Sequence, residues 1–443
     1  MLISVLGAGY VGLVTAACLA KLGHRVRCIE IDDARVAGLL NNELPIDEPG
    51  LRELVDAATQ AGTLSFHGDS KSVRGTELTI VAVGTLDADD QWTDQFVRRA
   101  TTALAGDRQA PRAIVVRSTL MPGSALSIQA ETKGIDPRID LAYNPEFTRE
   151  GSAVKDFLSP DRVIIGLSGA EESDRLARMV TELYAPLEAP LVVTDVATAE
   201  LIKVGSNVFL AMKIAFANEL ARLSARADAD VAQVVDAIGL DRRIGRAFLS
   251  PGPGFGGACL PSQARELPAV ARRLGVPTAL LDVIATSNEQ TAEWYVDQLQ
   301  AELGGSLVGS TVAVLGLTFK AGTADIRDSP ALRVCRLLAA RGADLRIYDP
   351  AATEAARAEL TEHGVAAAGC STPVDAAVGA DAVVVATEWQ QFRELDWPAL
   401  ADVMRGRLVV DTRSIVDAGA AARAGVDLNV LGRRVAADAS ARG

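Results

Sequence analysis

The N-terminal residues place a glycine-rich turn between a short apolar strand pattern and a helical pattern. LISVL is followed by GAGYVG at residues 7–12, and the helical pattern continues to about Leu22. A second β-rich run, RVRCIE, then ends on Glu30. A strand, a Gly-x-Gly-x-x-Gly turn, a helix, a second strand and an acid in this order are typical of a dinucleotide-binding domain. We therefore expect this fold at the start of the chain.

The same residues predict which dinucleotide binds. The N-terminus of the helix would bind the pyrophosphate, and Glu30 would accept hydrogen bonds from both adenosine ribose hydroxyls. An acid at that position repels a 2′-phosphate, so the pattern favours NAD over NADP. Arg27 and Arg35 are close enough in sequence to weaken this preference. The alternative is an α/β domain with a glycine turn that binds no nucleotide.

Strand and helix patterns alternate in two parts of the chain. LTIVAVG and AIVVRST continue the first series, and TVAVLGLTF, ADLRIYDP, DAVVVAT and RLVVDTRS follow the glycines at 304 and 305. The alternation predicts an α/β fold with two Rossmann-like, doubly wound parallel-sheet domains.

One long helical run joins the two series. It extends from Thr198 to about Ala227 without proline and is apolar nearly all round, as expected for a helix buried between domains or in a subunit interface. We predict an NAD-binding domain over 1–195, a central helical and dimerisation region over 196–305, and a nucleotide-sugar-binding domain over 306–443. The tail after Arg433 is expected to be loosely ordered.

Charge and composition exclude several classes of partner. The net charge is −13 and aromatic residues make up 4%, which argues against nucleic acid or an anionic membrane as a partner. The uncharged stretch from Leu2 to Ala20 lacks a basic leader and contains the turn glycines, so we expect neither an anchor nor a signal peptide but a cytoplasmic protein. An anionic substrate would need a local group of Lys and Arg.

The cysteines and histidines narrow the possible chemistry. The five cysteines and three histidines are scattered, so they predict no disulfide framework, no metal site and no Ser-His-Asp arrangement. Cys259 differs from the others because it follows the glycine-rich loop SPGPGFGGA, whose backbone N–H groups can lower a thiol pKa and stabilise an oxyanion. It is a candidate nucleophile. The alternative, a small buried hydrophobe, is our prediction for Cys18, Cys28, Cys335 and Cys370.

Two further pairs of residues are candidates for the site. Lys203 and Asn207 are four residues apart on the long helix and share one face, although Lys in such a position is commonly a snorkelling surface residue. Glu146 and Glu150 in NPEFTREG follow a strand, at the carboxyl edge where α/β sheets bind ligands. Such acids are often merely solvated, but the preceding Asn-Pro favours a specific turn.

Taken together, these motifs resemble the UDP-glucose/GDP-mannose dehydrogenase family over nearly the whole chain. The matching pieces, in order, are GAGYVG, STLMPGS, NPEFTREGSA, FLSPDRVIIG, AELIKVGSN, DRRIG, GPGFGGAC, GLTFKAGTADIRDSP, DAVVVATEW and DTRS. DRRIG before GPGFGG is similar to the UDP-glucose branch rather than the GDP-mannose branch. The NPEF run differs from the pattern expected of UDP-N-acetylmannosamine enzymes.

The resemblance implies oxidation of a nucleotide-linked hexose at C6, from alcohol to acid, with two NAD and one water. Cys259 would capture the aldehyde as a thiohemiacetal, which a second oxidation converts to a thioester. Glu146 would be the general base for hydrolysis, Lys203 and Asn207 would stabilise negative charge at the C6 oxygen, and Thr119 would help hold a water. UDP-glucose is the favoured substrate, with TDP-glucose and GDP-mannose as alternatives.

The resemblance also implies binding residues and a homodimer formed through the central helix, with Arg243 offered from the partner subunit. The cofactor-binding residues it implies are Gly7, Gly9, Tyr10, Val11, Gly12, Glu30, Arg35, Thr85, Ser118, Thr119, Glu150 and Arg327. The substrate-binding residues it implies are Glu146, Phe147, Thr148, Arg149, Glu150, Lys203, Asn207, Arg243, Phe255, Gly256, Lys320 and Arg413.

The chain departs from the family pattern in two places. Ser262 and Gln263 stand where the family has Lys and Asp after the cysteine, and the loop after the third predicted strand reads Gly84, Thr85, Leu86 without the usual prolines. The first departure supports an alternative function, a catalytically weakened homologue that binds nucleotide sugars. The sequence leaves the nucleotide base, the exact hexose and the pathway open.

Overall fold

The structure, a computed structural model, describes residues 1–88, 90–168, 173–430 and 432. The chain divides into two compact units, the first ending at Ser206 and the second beginning at Asn207. Within the described residues, each unit contains one sheet, and helices alternate with its strands along the chain. The predicted loose tail after Arg433 lies outside the described residues.

The described part of the first unit contains an eight-stranded sheet in the order β3-β2-β1-β4-β5-β6-β7-β8. Strands β1 to β6 are parallel, in the order typical of dinucleotide-binding domains. β7 pairs with β6 in the antiparallel direction, so this edge departs from a purely parallel sheet. The strands are β1 Leu2–Leu6, β2 Arg25–Ile29, β3 Leu64–His67, β4 Leu78–Val81, β5 Ala113–Val116, β6 Asp140–Tyr143, β7 Val163–Leu167 and β8 Leu191–Asp195.

Helices cover this sheet and bury apolar side chains against it. α1 is buried from Gly12 to Ala20, because it crosses the centre of the sheet beside β1 and β2. The helices are α1 Tyr10–Lys21, α2 Asp33–Leu40, α3 Leu51–Gln60, α4 Gln95–Gly106, α5 Ser124–Ile135, α6 Ala153–Leu158 and α7 Ser173–Tyr184, with a 3-10 turn at Ser70–Val73.

The predicted long helix is confirmed as α8, Val196–Ala227, which begins in the first unit and ends in the second. Four large apolar side chains on it are exposed in the single chain: Leu201, Phe209, Phe216 and Leu223. In the part of the chain that the structure describes, no helix has both the length and the apolar character needed to cross a bilayer.

The second unit repeats the Rossmann arrangement with a parallel sheet in the order β11-β10-β9-β12-β13-β14. Its strands are β9 Thr311–Leu315, β10 Asp344–Tyr348, β11 Ala367–Gly369, β12 Ala382–Val385, β13 Leu408–Asp411 and β14 Asp427–Val430. Its helices are α9 Val231–Gly239, α10 Leu260–Arg273, α11 Ala279–Asp282, α12 Ile284–Glu302, α13 Pro330–Ala340, α14 Thr353–Glu362, α15 Pro373–Ala377, α16 Gln390–Arg393, α17 Trp397–Val403 and α18 Ala418–Arg423.

The glycine turn of the first unit depends on close backbone packing. Gly7 has φ +97°, and its N–H donates to Ile29 O at 2.8 Å. A Cβ on Gly12 would lie 1.9 Å from Gly7 O, closer than any real contact. A Cβ on Gly9, by contrast, would meet no atom within 4 Å. Gly12 is therefore required by packing, whereas Gly9 leaves open space in front of α1.

This contrast predicts different effects of two alanine substitutions. Gly12→Ala should lower the free energy of unfolding by roughly 2 kcal/mol or more, because α1 must move away from Gly7. Gly9→Ala is the matched control and should change it by less than about 0.5 kcal/mol. Denaturant unfolding of the ligand-free proteins measures both values. Equal stability of the two variants would contradict the packing argument.

Candidate functional site

Glu30 lies at the carboxyl end of β2 and is only 6% exposed. Its Oε2 accepts hydrogen bonds from Ala8 N at 2.9 Å and the Arg35 guanidinium at 3.0 Å, and its Oε1 accepts from Ile31 N and Asp32 N. Burial raises the pKa of Glu30, but these hydrogen bonds outweigh it and hold the pKa below its ordinary value. The carboxylate is therefore charged at neutral pH.

The two arginines near Glu30 in sequence have different positions. Arg35 pairs with the carboxylate, whereas the Arg27 guanidinium donates to Ser72 O at 3.0 Å and Arg74 O at 2.9 Å. Only Arg35 is thus in contact with the acid. Ile31, the residue directly after Glu30, was not predicted as a site residue, and it is 84% exposed. A β-branched apolar residue beyond the end of a buried strand was the available signal.

The first turn of α1 fits an anionic cofactor group. Gly9 is the N-cap, no described side chain caps the helix there, and the first turn contains no acid. Backbone N–H groups at a helix N-terminus are anion-binding groups when nothing else satisfies them. The open space in front of Gly9 and the ionised Glu30 at the neighbouring strand end together fit the diphosphate and a ribose of NAD.

The loops after β4 and β5 lie beside this turn. Thr85 O accepts from Thr93 N at 2.9 Å, and the Trp92 indole N–H donates to Thr119 O at 3.2 Å. The Ser118 hydroxyl donates to Val83 O at 2.7 Å. The loop without the family prolines is therefore fixed by a tryptophan, and it holds Thr85, Ser118 and Thr119 at the carboxyl edge of the sheet. Val11 is partly buried in the first turn of α1.

A buried ion pair joins α8 to the segment after β6. The Lys203 ammonium donates to Glu146 Oε1 at 2.9 Å and to Glu146 O at 2.6 Å, and both side chains are buried. Thr148 donates to Glu146 Oε2 from both its N and its hydroxyl at 2.6 Å. Burial raises the pKa of Glu146, but Lys203 and Thr148 lower it more, and the net pKa is below its ordinary value. The alternative that Lys203 is a snorkelling surface residue is therefore wrong, because its ammonium is buried and paired with Glu146.

The rest of this loop is held by side chains that sequence reasoning missed. The Arg162 guanidinium lies 4.1 Å from the centre of the Phe147 ring, and Lys203 Nζ lies 5.2 Å from it. Asp156 accepts from Arg149 N and from its guanidinium. Phe147 therefore packs against two cations, and Arg149 is held by α6. Glu150 ends the segment, at the first residue of a turn.

Two further buried charges position the strand ends. Arg117 donates to Asn144 Oδ1 at 2.8 Å and thereby holds the asparagine of the NPEF segment. Glu200 accepts from Gly123 N at 2.8 Å and Ala125 N at 2.6 Å, which ties α8 to the STLMPGS segment. Burial raises the pKa of Glu200 to about 7 despite these bonds. Arg117 and Glu200 could have been predicted from the sequence, because each is a charged residue beside a run of apolar ones.

In the second unit, Cys259 is the N-cap of α10 and is exposed. A helix N-terminus favours negative charge. Cys18, Cys28 and Cys335 are buried, as predicted, and burial raises the pKa of each thiol to about 12. Cys370 is only partly buried, because it lies in the loop after β11. Among the five cysteines, all within the described residues, Cys259 alone is exposed.

The glycine loop before Cys259 is held by two asparagines that sequence reasoning did not select. Asn288 exchanges hydrogen bonds with the backbone of Phe255 at 2.8 and 2.9 Å, and Asn218 Oδ1 accepts from Gly252 N at 2.8 Å. A Cβ on Gly256 would lie 2.6 Å from Asp328 O. Asparagine is unfavourable inside a helix unless its side chain binds backbone elsewhere, which was the available signal.

The two residues of the first departure from the family pattern, Ser262 and Gln263, occupy buried positions on α10. The Ser262 hydroxyl donates to Ala258 O at 2.7 Å, so it is used within the helix itself. Gln263 is 2% exposed, and its Oε1 is buried without a hydrogen-bond partner. A buried carbonyl in this state costs free energy, which a ligand or water can recover.

The predicted cations Arg413 and Lys320 lie at neighbouring positions in the second unit, because the Arg413 guanidinium donates to the O atom of Phe319, the residue before Lys320, at 3.3 Å. Arg413 donates from Nε to Ala386 O at 2.9 Å and forms an ion pair with Glu388 at 3.1 Å, and it lies beside Gly252. Lys320 Nζ is 5.5 Å from the Phe319 ring.

The remaining predicted residues of this unit are more exposed. Arg327 pairs with Asp325, and its O accepts from Gly257 N at 2.9 Å. Arg243 is paired with Asp241 at 2.6 Å, and its side chain is 88% exposed. Asn207 is partly buried on α8, one turn after Lys203.

Comparisons with known proteins identify the family. Three models of the UDP-glucose/GDP-mannose dehydrogenase family match: the NAD binding domain over residues 1–188, the central domain over 197–290 and the UDP binding domain over 313–418. A UDP-glucose 6-dehydrogenase of Rhizobium meliloti is 39% identical over 441 residues, with 98% of this chain and 100% of the relative covered.

Two further proteins extend the comparison to archaea. The UDP-glucose 6-dehydrogenase AglM of Haloferax volcanii is 38% identical, with 94% of this chain and 97% of the relative covered. The solved structure of a UDP-glucose dehydrogenase from Pyrobaculum islandicum matches with a TM-score of 0.85 at 37% identity, with 94% of each chain covered. The chain therefore belongs to the UDP-glucose/GDP-mannose dehydrogenase family, and it is an NAD-dependent nucleotide-sugar dehydrogenase.

Proposed function

We propose that the chain oxidises the C6 alcohol of UDP-glucose to the carboxylate, using two NAD and one water. The observation that carries the proposal is Cys259, the exposed cysteine of the chain, at the N-terminus of α10 and directly after the glycine loop. The names of the matched relatives support UDP-glucose over TDP-glucose and GDP-mannose. The product, UDP-glucuronate, would serve polysaccharide biosynthesis.

The first unit would hold the cofactor. Gly7, Gly9 and Gly12 shape the turn that receives the pyrophosphate, and Glu30 binds the ribose hydroxyls. The exposed Ile31 offers an apolar surface to the adenine. NAD, when bound, accepts one hydride in each of the two oxidations. Other residues proposed to contact it are Tyr10, Val11, Arg35, Thr85, Ser118, Thr119, Glu150 and Arg327.

Cys259 would prevent release of the aldehyde. Its sulfur forms a bond to the aldehyde carbon, and the carbonyl oxygen gains a proton, which gives a thiohemiacetal. Oxidation of that carbon gives a thioester. Water then adds to the thioester carbon, the C–S bond breaks, and the acid is released as the thiol is restored. The backbone N–H groups of the α10 N-terminus stabilise the negative oxygen in these steps.

Lys203 and Glu146 would handle charge and protons. Two of the three N–H groups of Lys203 are used by Glu146, which leaves one for the C6 oxygen of the sugar. Asn207, one turn along α8, supplies a second donor, and Thr119 holds the water. Because Lys203 and Thr148 lower the pKa of Glu146, the carboxylate is unprotonated at neutral pH and ready to accept a proton from water.

Cations and loops would bind the rest of the substrate. Lys320 and Arg413 neutralise the diphosphate, and Arg243 is offered from a partner subunit, which suits its high exposure. Phe147, Thr148, Arg149, Glu150, Phe255 and Gly256 complete this set. The homodimer, the cytoplasmic location and the domain division at 195 and 305 stay predictions. NADH formation with UDP-glucose, TDP-glucose and GDP-mannose tests the substrate, and no turnover of UDP-glucose would refute the proposal.

Substitution of the nucleophile tests the covalent mechanism. Cys259→Ser should lower acid formation roughly a thousandfold or more, because the alkoxide is a poorer nucleophile and leaving group, and NAD affinity should stay within about twofold. Cys370→Ser is the matched control and should retain wild-type turnover. Measured rates of NADH and acid formation check both variants. Full turnover of Cys259→Ser would rule out the thioester.

Substitution of Glu30 tests cofactor choice. Glu30→Ala should weaken NAD binding roughly tenfold and narrow the gap to NADP, since the ribose loses its acceptor and Arg35 is released to meet a 2′-phosphate. Asp33→Ala, which removes a nearby exposed carboxylate, should leave both affinities unchanged. Titration of both cofactors measures the effect. A wild type that prefers NADP would contradict this account of Glu30.

The residues after Cys259 predict a slow final step. The Ser262 hydroxyl is used within α10 and Gln263 is uncharged, so NAD binding and orientation of the hydrolytic water should both be weaker than with a cation and a carboxylate. We expect a rapid burst of NADH followed by a slow phase. The double variant Ser262→Lys, Gln263→Asp should increase the rate of the slow phase and the affinity for NAD. If the double variant keeps the slow phase and the NAD affinity of the wild type, other residues compensate for Ser262 and Gln263. If the wild type binds substrate but gives no burst of NADH, the alternative function, a catalytically weakened homologue that binds nucleotide sugars, is favoured.

A further inference from the structure

Glu48 is a buried acid in the segment between α2 and α3, outside the motifs discussed so far. Its side chain is only 4% exposed, although its neighbours Asp47 and Pro49 are exposed. Its own carbonyl accepts from Leu51 N at 3.0 Å at the start of α3. A carboxylate buried to this extent needs hydrogen-bond donors, and those donors show what it does.

The donors to Glu48 come from two distant parts of the first unit. Oε2 accepts from the Tyr10 hydroxyl and from Gly151 N at 2.7 Å, and Oε1 accepts from Ala153 N at 2.6 Å. Gly151 N also lies 3.2 Å from the Tyr10 oxygen. Burial and the hydrogen bond to Glu48 raise the pKa of Tyr10 well above its ordinary value, so the phenol stays a proton donor. Both carboxylate oxygens are used.

The two parts are the ones proposed to bind the two substrates of the reaction. Tyr10 directly follows Gly9 and is the first residue of α1. Gly151 directly follows Glu150, the last residue of the proposed sugar-nucleotide loop, and Ala153 begins α6. One carboxylate therefore connects the cofactor turn to the end of the substrate loop.

Two other anchors of this loop bind it from helices outside the cofactor turn. Asp156 holds Arg149 from within α6, and Lys203 holds Glu146 from α8. Glu48, by contrast, binds both the end of this loop and Tyr10 of the GAGYVG turn, beside the contact between Gly151 N and the Tyr10 oxygen. Movement of Tyr10 would change the hydrogen bonds that hold Gly151, and the reverse is also true.

We propose that Glu48 is a positioning residue that couples the binding of NAD to the binding of the nucleotide sugar. The proposal rests on the proposed function in one respect, the assignment of the 147–150 loop to the sugar nucleotide. A cofactor that orders Tyr10 also fixes Glu48 and hence Gly151 and Ala153. The sugar nucleotide then binds to a loop that is already ordered, so its binding costs less conformational entropy. Because coupling between two sites is reciprocal, each ligand increases the affinity for the other by the same factor.

Titrations with NADH test the coupling without turnover. The Kd of NADH is measured by calorimetry with and without saturating UDP-glucose, on the full chain. In the wild type, UDP-glucose should tighten NADH binding roughly fivefold to tenfold. In Glu48→Gln and in Tyr10→Phe this ratio should fall close to one, and the double variant should show no further loss, because both changes break the same link.

Two controls separate coupling from a general structural effect. Asp156→Asn loosens the same loop without touching Tyr10, so it should weaken UDP-glucose binding yet keep the wild-type ratio. Asp47→Asn removes an exposed charge beside Glu48 and should change neither affinity nor ratio. If Glu48→Gln lowers the denaturant midpoint, its effect on the ratio could come from lost stability. The ratio in Tyr10→Phe then tests the coupling, since this variant removes only one hydroxyl.

The outcomes distinguish this inference from the proposed function. A wild-type ratio near one, or a wild-type ratio retained in Tyr10→Phe and Glu48→Gln, would overturn the role of Glu48. Loss of the ratio in Asp156→Asn as well would also overturn it, because any loosening of the loop would then suffice. UDP-glucose that binds with coupling but is not oxidised would refute the proposed function and leave the role of Glu48 intact.

Discussion

Buried carboxylates that accept backbone N–H groups hold the loops at the carboxyl ends of the strands in both units. A carboxylate out of water is stable only when several donors surround it, so each one fixes the backbone that supplies them. In the first unit these groups are Glu30, Glu48, Glu146 and Glu200. In the second they are Asp349 and Asp411. The loops proposed to bind ligands are thus ordered from within.

The glycine turn and the acid after the second strand occur in both sheets, with different partners for the acid. Gly316 in the second unit has φ +89° and donates to Tyr348 O at 2.8 Å, as Gly7 does to Ile29 O. The acid that follows β10, Asp349, accepts from Leu317 N and from the Trp389 indole N–H. The second unit therefore repeats the glycine turn and the acid after the second strand, with its acid bonded to backbone N–H groups and to an indole.

Local motifs made much of the site predictable. The strand, glycine turn and acid are within 30 residues, and the exposed cysteine is adjacent to its glycine loop, so their geometry follows from short-range backbone rules. The antiparallel β6–β7 pair was not predicted, because an apolar run does not encode its direction. Arg162 was not selected either, since its contact with Phe147 depends on packing between separate elements.

The sequence alone determined the family, the Rossmann alternation and the glycine turn, and it selected Cys259 as the candidate nucleophile, because each depends on residues that are neighbours along the chain. Only the tertiary structure decided which partner each buried charge takes. Lys203 and Glu146 are 57 residues apart, and Glu48 and Gly151 are 103 apart. Such pairs form when distant segments meet at one sheet edge, where exclusion of water penalises a donor or acceptor that has no partner. No local pattern specifies that choice.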